Sequence, residues 1–153
     1  MNRDGETRVL AVASGGGHWE ELRLLEASFA ETTVTYATTL AGLAEREALP
    51  RHFLVTDCNR NERLRSLWCL LQIAALLIRV RPHVVVSTGA LPGYLAIFLG
   101  KRFGLRTIWI DSVANGEEIS MAGQIARRHA DLWLTQSPYV AEKFGAEYAG
   151  SVL

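Results

Sequence analysis

The sequence predicts an α/β fold in which a parallel β-sheet carries helices on both faces. Short apolar runs such as residues 9–13 and 84–86 are typical of strands that are buried on both sides. Stretches with helical spacing alternate with these runs, and glycine, proline or polar residues separate them. The chain has 153 residues, of which 49% are hydrophobic and 21% charged, so we expect residues 1–153 to form one domain with a substantial core.

Six elements are predicted in the first half of the chain. Residues 9–13 form an unbroken apolar run, and residues 33–37 are rich in β-branched side chains. Both patterns favour strands. Leu22, Leu25 and Phe29 recur at near-helical spacing, which predicts a helix. In order, the elements are strand 8–13, helix 19–30, strand 33–37, short helix 41–48, strand 52–55 and long helix 61–81.

The second half of the chain repeats this alternation. Pro82 stops the long helix, Gly104 marks the end of the next helix, and Pro138 suits the first turn of the last one. The elements are strand 83–86, helix 91–103, strand 106–110, short helix 123–129, strand 132–135 and helix 138–144. This order predicts a Rossmann-like sheet whose ligands bind at the carboxyl ends of the strands.

The segment Ser14-Gly15-Gly16-Gly17-His18 is the most informative candidate site. Its glycines join the first strand to the first helix, so backbone N–H groups and the positive end of the helix can face a phosphate. His18 adds a group that exchanges protons near neutral pH. The dinucleotide-binding fingerprint fits poorly, because Glu20 stands where it needs a small residue and no carboxylate follows strand 33–37. A simple packing turn would give the same glycine pattern.

Two further loops follow predicted strands at the same edge of the sheet. Ser87-Thr88-Gly89 follows strand 83–86, and Asp111-Ser112 ends strand 106–110. Hydroxyl groups, backbone amides and a carboxylate at strand ends can orient a substrate or a catalytic histidine. The alternative for both loops is ordinary capping of the next turn or helix.

The helix predicted over residues 61–81 is apolar on nearly all sides. One stripe contains Leu64, Leu67, Trp68, Leu71, Ala75 and Ile78, and a second contains Cys69, Leu70, Ile73, Leu76, Leu77 and Val80. Packing on one face of a sheet requires only the first stripe. The run is too short to span a bilayer, and arginines flank it at both ends. We therefore expect Trp68, Leu70, Leu71, Ile73 and Leu77 to contact an anionic membrane surface, or to be buried against a neighbour.

Composition excludes several other functions. Lys plus Arg and Asp plus Glu number 16 each, and a net charge of zero argues against nucleic-acid binding. The two cysteines, Cys58 and Cys69, lack metal-ligand spacing, and no histidine pair has it, so we expect reduced thiols and no metal. Residues 1–8 are polar, so we expect no export signal.

Several short motifs in a fixed order resemble the acceptor-side subunit of a split GT-B glycosyltransferase. That family includes the membrane-anchoring subunit of the dolichol-pathway N-acetylglucosaminyltransferase and bacterial PssD-type subunits of exopolysaccharide and capsule assembly, and the glycine loop also resembles that of MurG. The motifs that carry the resemblance are Ser14-Gly15-Gly16-Gly17-His18, Ser87-Thr88-Gly89-Ala90, Asp111-Ser112, Ala130-Asp131, Gln136-Ser137-Pro138 and Tyr148-Ala149-Gly150.

The resemblance implies the N-terminal, acceptor-binding half of a GT-B enzyme. Such an enzyme transfers a sugar, with inversion, from a UDP-sugar to a polyprenyl-diphosphate-linked saccharide, and a donor-binding partner chain supplies the rest of the site. It implies catalytic roles for His18, as general base, and for Asp111. It also implies that the substrate is bound by Ser14, Gly15, Gly16, Gly17, Ser87, Thr88, Gly89 and Ser112, with no metal or other cofactor.

Two departures from the family pattern bear on these expectations. The family often has Glu before Ser where this chain has Asp111, and the eukaryotic subunit has an N-terminal membrane anchor that is missing here. The bacterial type is therefore favoured, as a cytoplasmic protein peripheral to the inner face of the cell membrane. The alternatives are a non-catalytic subunit that recruits its partner to the membrane, and a stand-alone nucleotide-binding Rossmann enzyme.

Overall fold

The computed structural model describes residues 5–153, so part of the polar segment 1–8 lies outside the described residues. The strands of the described chain are β1 (Thr7–Ala13), β2 (Thr32–Thr38), β3 (His52–Leu54), β4 (Val84–Ser87), β5 (Arg106–Ile110), β6 (Leu132–Thr135) and β7 (Glu147–Tyr148). The helices are α1 (Gly17–Leu24), α2 (Leu43–Arg46), α3 (Arg63–Val80), α4 (Ala90–Arg102), α5 (Met121–Ala126) and α6 (Pro138–Phe144). A 3₁₀ turn, Glu26–Phe29, follows α1 and replaces the end of the helix predicted over 19–30.

The strands form one parallel sheet in the order β3-β2-β1-β4-β5-β6-β7. The predicted Rossmann-like α/β fold is confirmed. From β1 the chain adds β2 and then β3 on one side. It then returns to place β4 on the other side of β1, and β5, β6 and β7 follow outward on that side. Strand β7 is the one strand of the described chain that the sequence did not predict, because its two residues, Glu147 and Tyr148, are exposed and have no apolar pattern.

Helices pack on both faces because the central strand alternates its side chains between two cores. Leu10 and Val12 belong to the core beneath α3 and α4. Val9 and Ala11 belong to the core beneath α1, where they pack with Trp19. Each large apolar side chain buried in this way contributes roughly 1.5–3 kcal/mol to folding.

The two cysteines lie in the first of these cores. Cys58 and Cys69 are buried free thiols. Burial raises the pKa of both thiols above its ordinary value, which disfavours the reactive thiolate.

Helix α3 buries the second of its two apolar stripes. Ile73 and Leu77 are buried, and Leu70 is half-buried, so the prediction that Ile73 and Leu77 contact a membrane is wrong. Trp68 and Leu71 are exposed as the membrane-contact prediction requires. They belong to the first stripe, which faces outward and is defined here as the α3 stripe: Leu64, Leu67, Trp68, Leu71, Ala75 and Ile78. Among residues 5–153, no helix combines the length and apolarity needed to cross a bilayer.

Candidate functional site

The glycine loop and the loop after β4, both predicted from the sequence to bind substrate, lie side by side at the centre of the sheet. Residues 14–18 follow β1, and residues 88–89 follow β4, which is hydrogen-bonded to β1. The connection out of β1 leads to one face and the connection out of β4 to the other, so a crevice forms at the carboxyl ends of these strands. Open α/β sheets bind their ligands in such a crevice.

The glycine loop presents the start of α1 at this crevice. Gly16 precedes the helix with a φ of 89°, a conformation that strains residues other than glycine. No side chain of residues 5–153 caps the helix, and Gly16 and Gly17 are exposed. The N–H of Gly15 already donates to Thr39 Oγ1 at 3.0 Å, so the prediction that this amide holds a phosphate is wrong. Exposed first-turn amides and the helix dipole remain available for an anion.

His18 is fixed by two reciprocal hydrogen bonds to the loop after β4. Its Nδ1 lies 3.0 Å from the carbonyl oxygen of Thr88, and the Thr88 hydroxyl donates to the His18 carbonyl oxygen at 2.6 Å. Because a carbonyl oxygen only accepts, Nδ1 carries the proton and Nε2 of the neutral ring carries the free lone pair. Within residues 5–153, Nε2 makes no hydrogen bond. The half-buried imidazole therefore offers a proton acceptor beside the start of α1.

The loop after β4 serves to position the His18 ring. A Cβ on Gly89 would lie 2.3 Å from His18 Nδ1, so the ring packs directly against a glycine. Ser87 is fully buried and its hydroxyl accepts from the Gly89 N–H at 3.2 Å, while the Thr88 hydroxyl is fully buried and bonded to His18. The prediction that the Ser87 and Thr88 side chains bind substrate is wrong, because both are enclosed by protein.

Asp111 is also enclosed by protein, so its predicted catalytic role is wrong. The residue is 1% exposed. Its Oδ2 accepts from the Ser120 N–H at 2.8 Å, and its Oδ1 accepts from the Ser120 hydroxyl at 2.5 Å and from Trp109 Nε1 at 3.1 Å. Both oxygens thus hold the start of α5 against the end of β5, where Ser120 is the N-cap.

Glu21 is a buried residue beside the site, with a structural role that the sequence analysis missed. It lies one turn after His18 on α1, is buried, and accepts hydrogen bonds from the Ser112 hydroxyl at 2.5 Å and from Gln136 Nε2 at 2.8 Å. Gln136 Oε1 in turn accepts from the Val152 N–H at 3.0 Å. Ser112 is therefore buried in this network rather than exposed to substrate. Nothing in the sequence distinguishes the buried Glu21 from its exposed neighbour Glu20.

We expect Glu21→Gln to destabilise the protein by about 1–3 kcal/mol, because an amide NH₂ then faces a donor in a buried network. Urea unfolding measures the loss. The matched control is Glu20→Gln, which changes an exposed neighbour in the same turn and should stay within about 0.5 kcal/mol of the parent. Equal unfolding midpoints for the two variants would contradict the structural role of Glu21.

The chemistry available at this site is anion binding and proton transfer. Residues 5–153 contain no group of three His, Cys, Asp or Glu side chains that could hold a metal ion. The positive end of α1 and the Nε2 lone pair of His18 lie on adjacent residues of one helix. A phosphate bound by the first and a hydroxyl group placed at the second would be close neighbours.

One curated relative is similar to part of the chain. It is the UDP-N-acetylglucosamine transferase subunit alg14 of Schizosaccharomyces pombe, which is 35% identical over 79 residues. The match includes 46% of this chain and 37% of the relative, so the chain spans well under half of that protein. No protein-family model matches the chain.

Several solved structures share its fold at low sequence identity. MurG of Acinetobacter baumannii superposes with a TM-score of 0.74 and 12% identity, over 88% of this chain and 43% of MurG. The UDP-N-acetylglucosamine 2-epimerase of Rickettsia bellii gives a TM-score of 0.72 and 14% identity, over 96% of this chain and 45% of the epimerase. The fold is that of the N-terminal half of GT-B enzymes such as MurG. The partial similarity to the alg14 subunit agrees with the resemblance that the sequence motifs indicated.

Proposed function

We propose that this chain is the acceptor-binding half of a glycosyltransferase that builds lipid-linked saccharides. The reaction transfers a sugar from a UDP-sugar to a polyprenyl-diphosphate-linked acceptor, in bacterial exopolysaccharide, capsule or related oligosaccharide assembly. The observation that carries the proposal is the pairing of an uncapped helix start with a His18 ring whose Nε2 is free. The partial similarity to a subunit named as a UDP-N-acetylglucosamine transferase supports the reaction class.

In this proposal the start of α1 binds the acceptor diphosphate. The exposed amides of Gly16 and Gly17 donate to phosphate oxygens, and the helix dipole favours their negative charge. Ser14, half-buried at the end of β1, supplies a further hydroxyl. These contacts orient the acceptor sugar so that its reacting hydroxyl lies at His18.

His18 acts as the general base. The acceptor hydroxyl gives its proton to Nε2 as its oxygen bonds to the anomeric carbon, and the bond to UDP breaks on the opposite face of the sugar. The configuration at that carbon is therefore inverted. As the ring gains a proton, the Nδ1–H bond to the Thr88 carbonyl strengthens, because its donor becomes charged.

The UDP-sugar is bound mainly by a partner chain across the crevice. The alg14 relative is named as a subunit, which supports a two-chain enzyme. In this arrangement the glycine loop lies at the interface and neither chain is active alone. A donor-binding partner also accounts for the poor match of the glycine loop to a dinucleotide fingerprint.

In this proposal the α3 stripe lies against the cytoplasmic face of the membrane that holds the acceptor. Leu64 is 84% exposed, and Trp68 is 57% exposed. Arg60, Arg63 and Arg65 are exposed at one end of the stripe. Apolar side chains beside arginines suit a surface of anionic lipids.

Two measurements test the proposed function. In the first, ¹⁵N-labelled chain is titrated with a short-chain prenyl diphosphate, and the amide signals of residues 16–19 are expected to shift more than those of the exposed Gly104 and Gly116. In the second, the chain and its co-purified partner are assayed with a panel of UDP-sugars and a polyprenyl-diphosphate-linked acceptor. Absence of both a loop-centred shift and transfer to any acceptor would reject the proposal.

We expect the variant Trp68→Ser/Leu71→Ser to bind anionic vesicles about 10- to 100-fold more weakly, because two half-exposed apolar side chains no longer leave water. Vesicle co-sedimentation measures this change. The control Leu24→Ser/Phe103→Ser removes exposed apolar side chains at the end of α1 and just after α4, and should bind like the parent. If both variants bind alike, the α3 stripe is not the membrane contact.

A non-catalytic recruiting subunit is the second candidate, and the exposed α3 stripe favours it as well. Such a subunit needs the stripe but not the His18 base. Turnover by His18→Ala in the assembled complex separates the two candidates.

A further inference from the structure

A cavity lies at the amino-terminal edge of the sheet, on the opposite side of the molecule from the crevice at the glycine loop. It has a volume of about 630 Å³ and is lined by the starts of β1, β2 and β3 together with the end of α3. The seven residues of β1 separate the two edges by about 20 Å. None of the proposed acceptor contacts reaches this cavity.

The lining of this cavity is strongly cationic. Four of its ten lining residues are arginines, Arg8, Arg51, Arg79 and Arg81, and none is acidic. The hydroxyl-bearing Thr33 and Thr35 line it as well. Four arginines and two threonines around one concavity provide donors of the kind that bind the oxygens of a phosphate group.

Two of these arginines make contacts within the protein that leave their charge unneutralised. Arg8 Nε donates to the Arg81 carbonyl oxygen at 2.8 Å, which ties β1 to the end of α3. Among residues 5–153, the terminal nitrogens of Arg8 have no hydrogen-bond partner. The Arg79 guanidinium lies 5.4 Å above the ring of Phe53, which fixes its position without removing its charge. Within residues 5–153, no salt bridge joins any of the four arginines to a carboxylate.

The α3 stripe leads to this cavity. Its last member, Ile78, is 62% exposed and directly precedes Arg79. An apolar surface that ends in a cationic concavity matches the arrangement of acyl chain and phosphate in an anionic lipid.

We propose that this cavity binds a phosphate group, supplied either by the headgroup of an anionic phospholipid or by a free phosphate or phosphate ester. This cavity is separate from the proposed acceptor site. The proposal of a phosphate site can therefore be rejected while the proposed function stands.

The test compares two double variants of equal charge. Arg51→Gln/Arg79→Gln removes two charges from the cavity, and the control Arg102→Gln/Arg128→Gln removes two exposed charges outside it. One probe is inorganic phosphate, measured by thermal unfolding and by amide shifts around β2. The other is vesicles of phosphatidylcholine with or without phosphatidylglycerol, measured by co-sedimentation.

We expect the cavity variant to lose at least about tenfold in affinity for the probe that represents the ligand, and the control to lose less than about threefold. Loss confined to phosphatidylglycerol vesicles identifies a lipid headgroup, and loss confined to inorganic phosphate identifies a soluble ligand. Loss for both probes identifies a headgroup site that also admits phosphate. Equal behaviour of the two variants with both probes overturns the proposal.

A second cavity variant guards against a change in folding. Arg51→Gln/Arg81→Gln removes the same charge but keeps the contact between Arg79 and Phe53. It must show the same loss as the first variant, and a loss limited to the variant that lacks Arg79 would count against a phosphate site.

Discussion

Replacement of His18 by alanine is expected to lower kcat for sugar transfer by about 10²–10⁴-fold, the usual contribution of a positioned general base. The expectation follows from the hydrogen bond of Nδ1 to the Thr88 carbonyl, which leaves Nε2 as the one ring atom able to take the acceptor proton. The proposed contacts of the diphosphate are backbone amides that the substitution leaves in place, so KM for the acceptor should change little. Steady-state kinetics of the complex with its partner measures both quantities.

The control for this experiment is His83→Ala, which removes an exposed imidazole at the opposite edge of the sheet. Both variants should co-purify with the partner in the same amount as the parent chain. A higher KM with unchanged kcat would show that His18 binds the acceptor without acting as the base. Unchanged turnover would remove His18 from the mechanism altogether and favour the recruiting role.

Gly89→Ala is expected to lower kcat nearly as much as the loss of His18 itself. A Cβ at this position would lie 2.3 Å from His18 Nδ1 and 2.4 Å from Cε1, so the ring must leave the Thr88 carbonyl. The φ of 146° at Gly89 adds strain for any side chain. Misplacement of a catalytic group by about 1 Å typically costs about 10²-fold in rate. Steady-state kinetics gives the rate, and the ¹⁵N and ¹³C signals of the His18 ring report its displacement.

Gly104→Ala separates ring displacement from backbone strain. Gly104 also has a positive φ, 74°, but a Cβ there would meet nothing within 4 Å. Gly104→Ala adds backbone strain without a clash, so it should lose less stability than Gly89→Ala and keep its activity, whereas Gly89→Ala should lose activity and shift the His18 signals. Normal turnover by Gly89→Ala would mean that the ring can work from another position, and the geometry described here would then not be the catalytic one.

The sequence motifs were informative about backbone and less so about side chains. Strand β6 and helix α6 have the predicted boundaries, because short apolar runs and a proline at the first turn are local signals. By contrast, Asp111 and Ser112 were expected to face a substrate and instead bond to Ser120 and Glu21. A carboxylate at the end of a strand can point toward the crevice or into the protein, and its local sequence is the same in both cases.

The α3 stripe illustrates the same limit for apolar residues. Periodicity identified two apolar stripes on one helix, and the first was expected to pack on the sheet. That expectation is wrong, because the second stripe faces the core. Contacts of Cys69 and Ile73 with the core beneath the helix decided that Leu64 and Trp68 face outward. The membrane-contact residues predicted at Ile73 and Leu77 were wrong for this reason.

By itself, the sequence determined the alternation of strands and helices, the glycine loop and the nomination of His18, since each depends on residues close together in the chain. Only the tertiary structure decided which groups meet. His18 and Thr88 are 70 positions apart, and Glu21 reaches Ser112 and Gln136 across 91 and 115 positions. The order of strands in the sheet brings these loops together, because β4 returns to pair with β1. Hydrogen-bond partners at such separations depend on that pairing and leave no local pattern to detect.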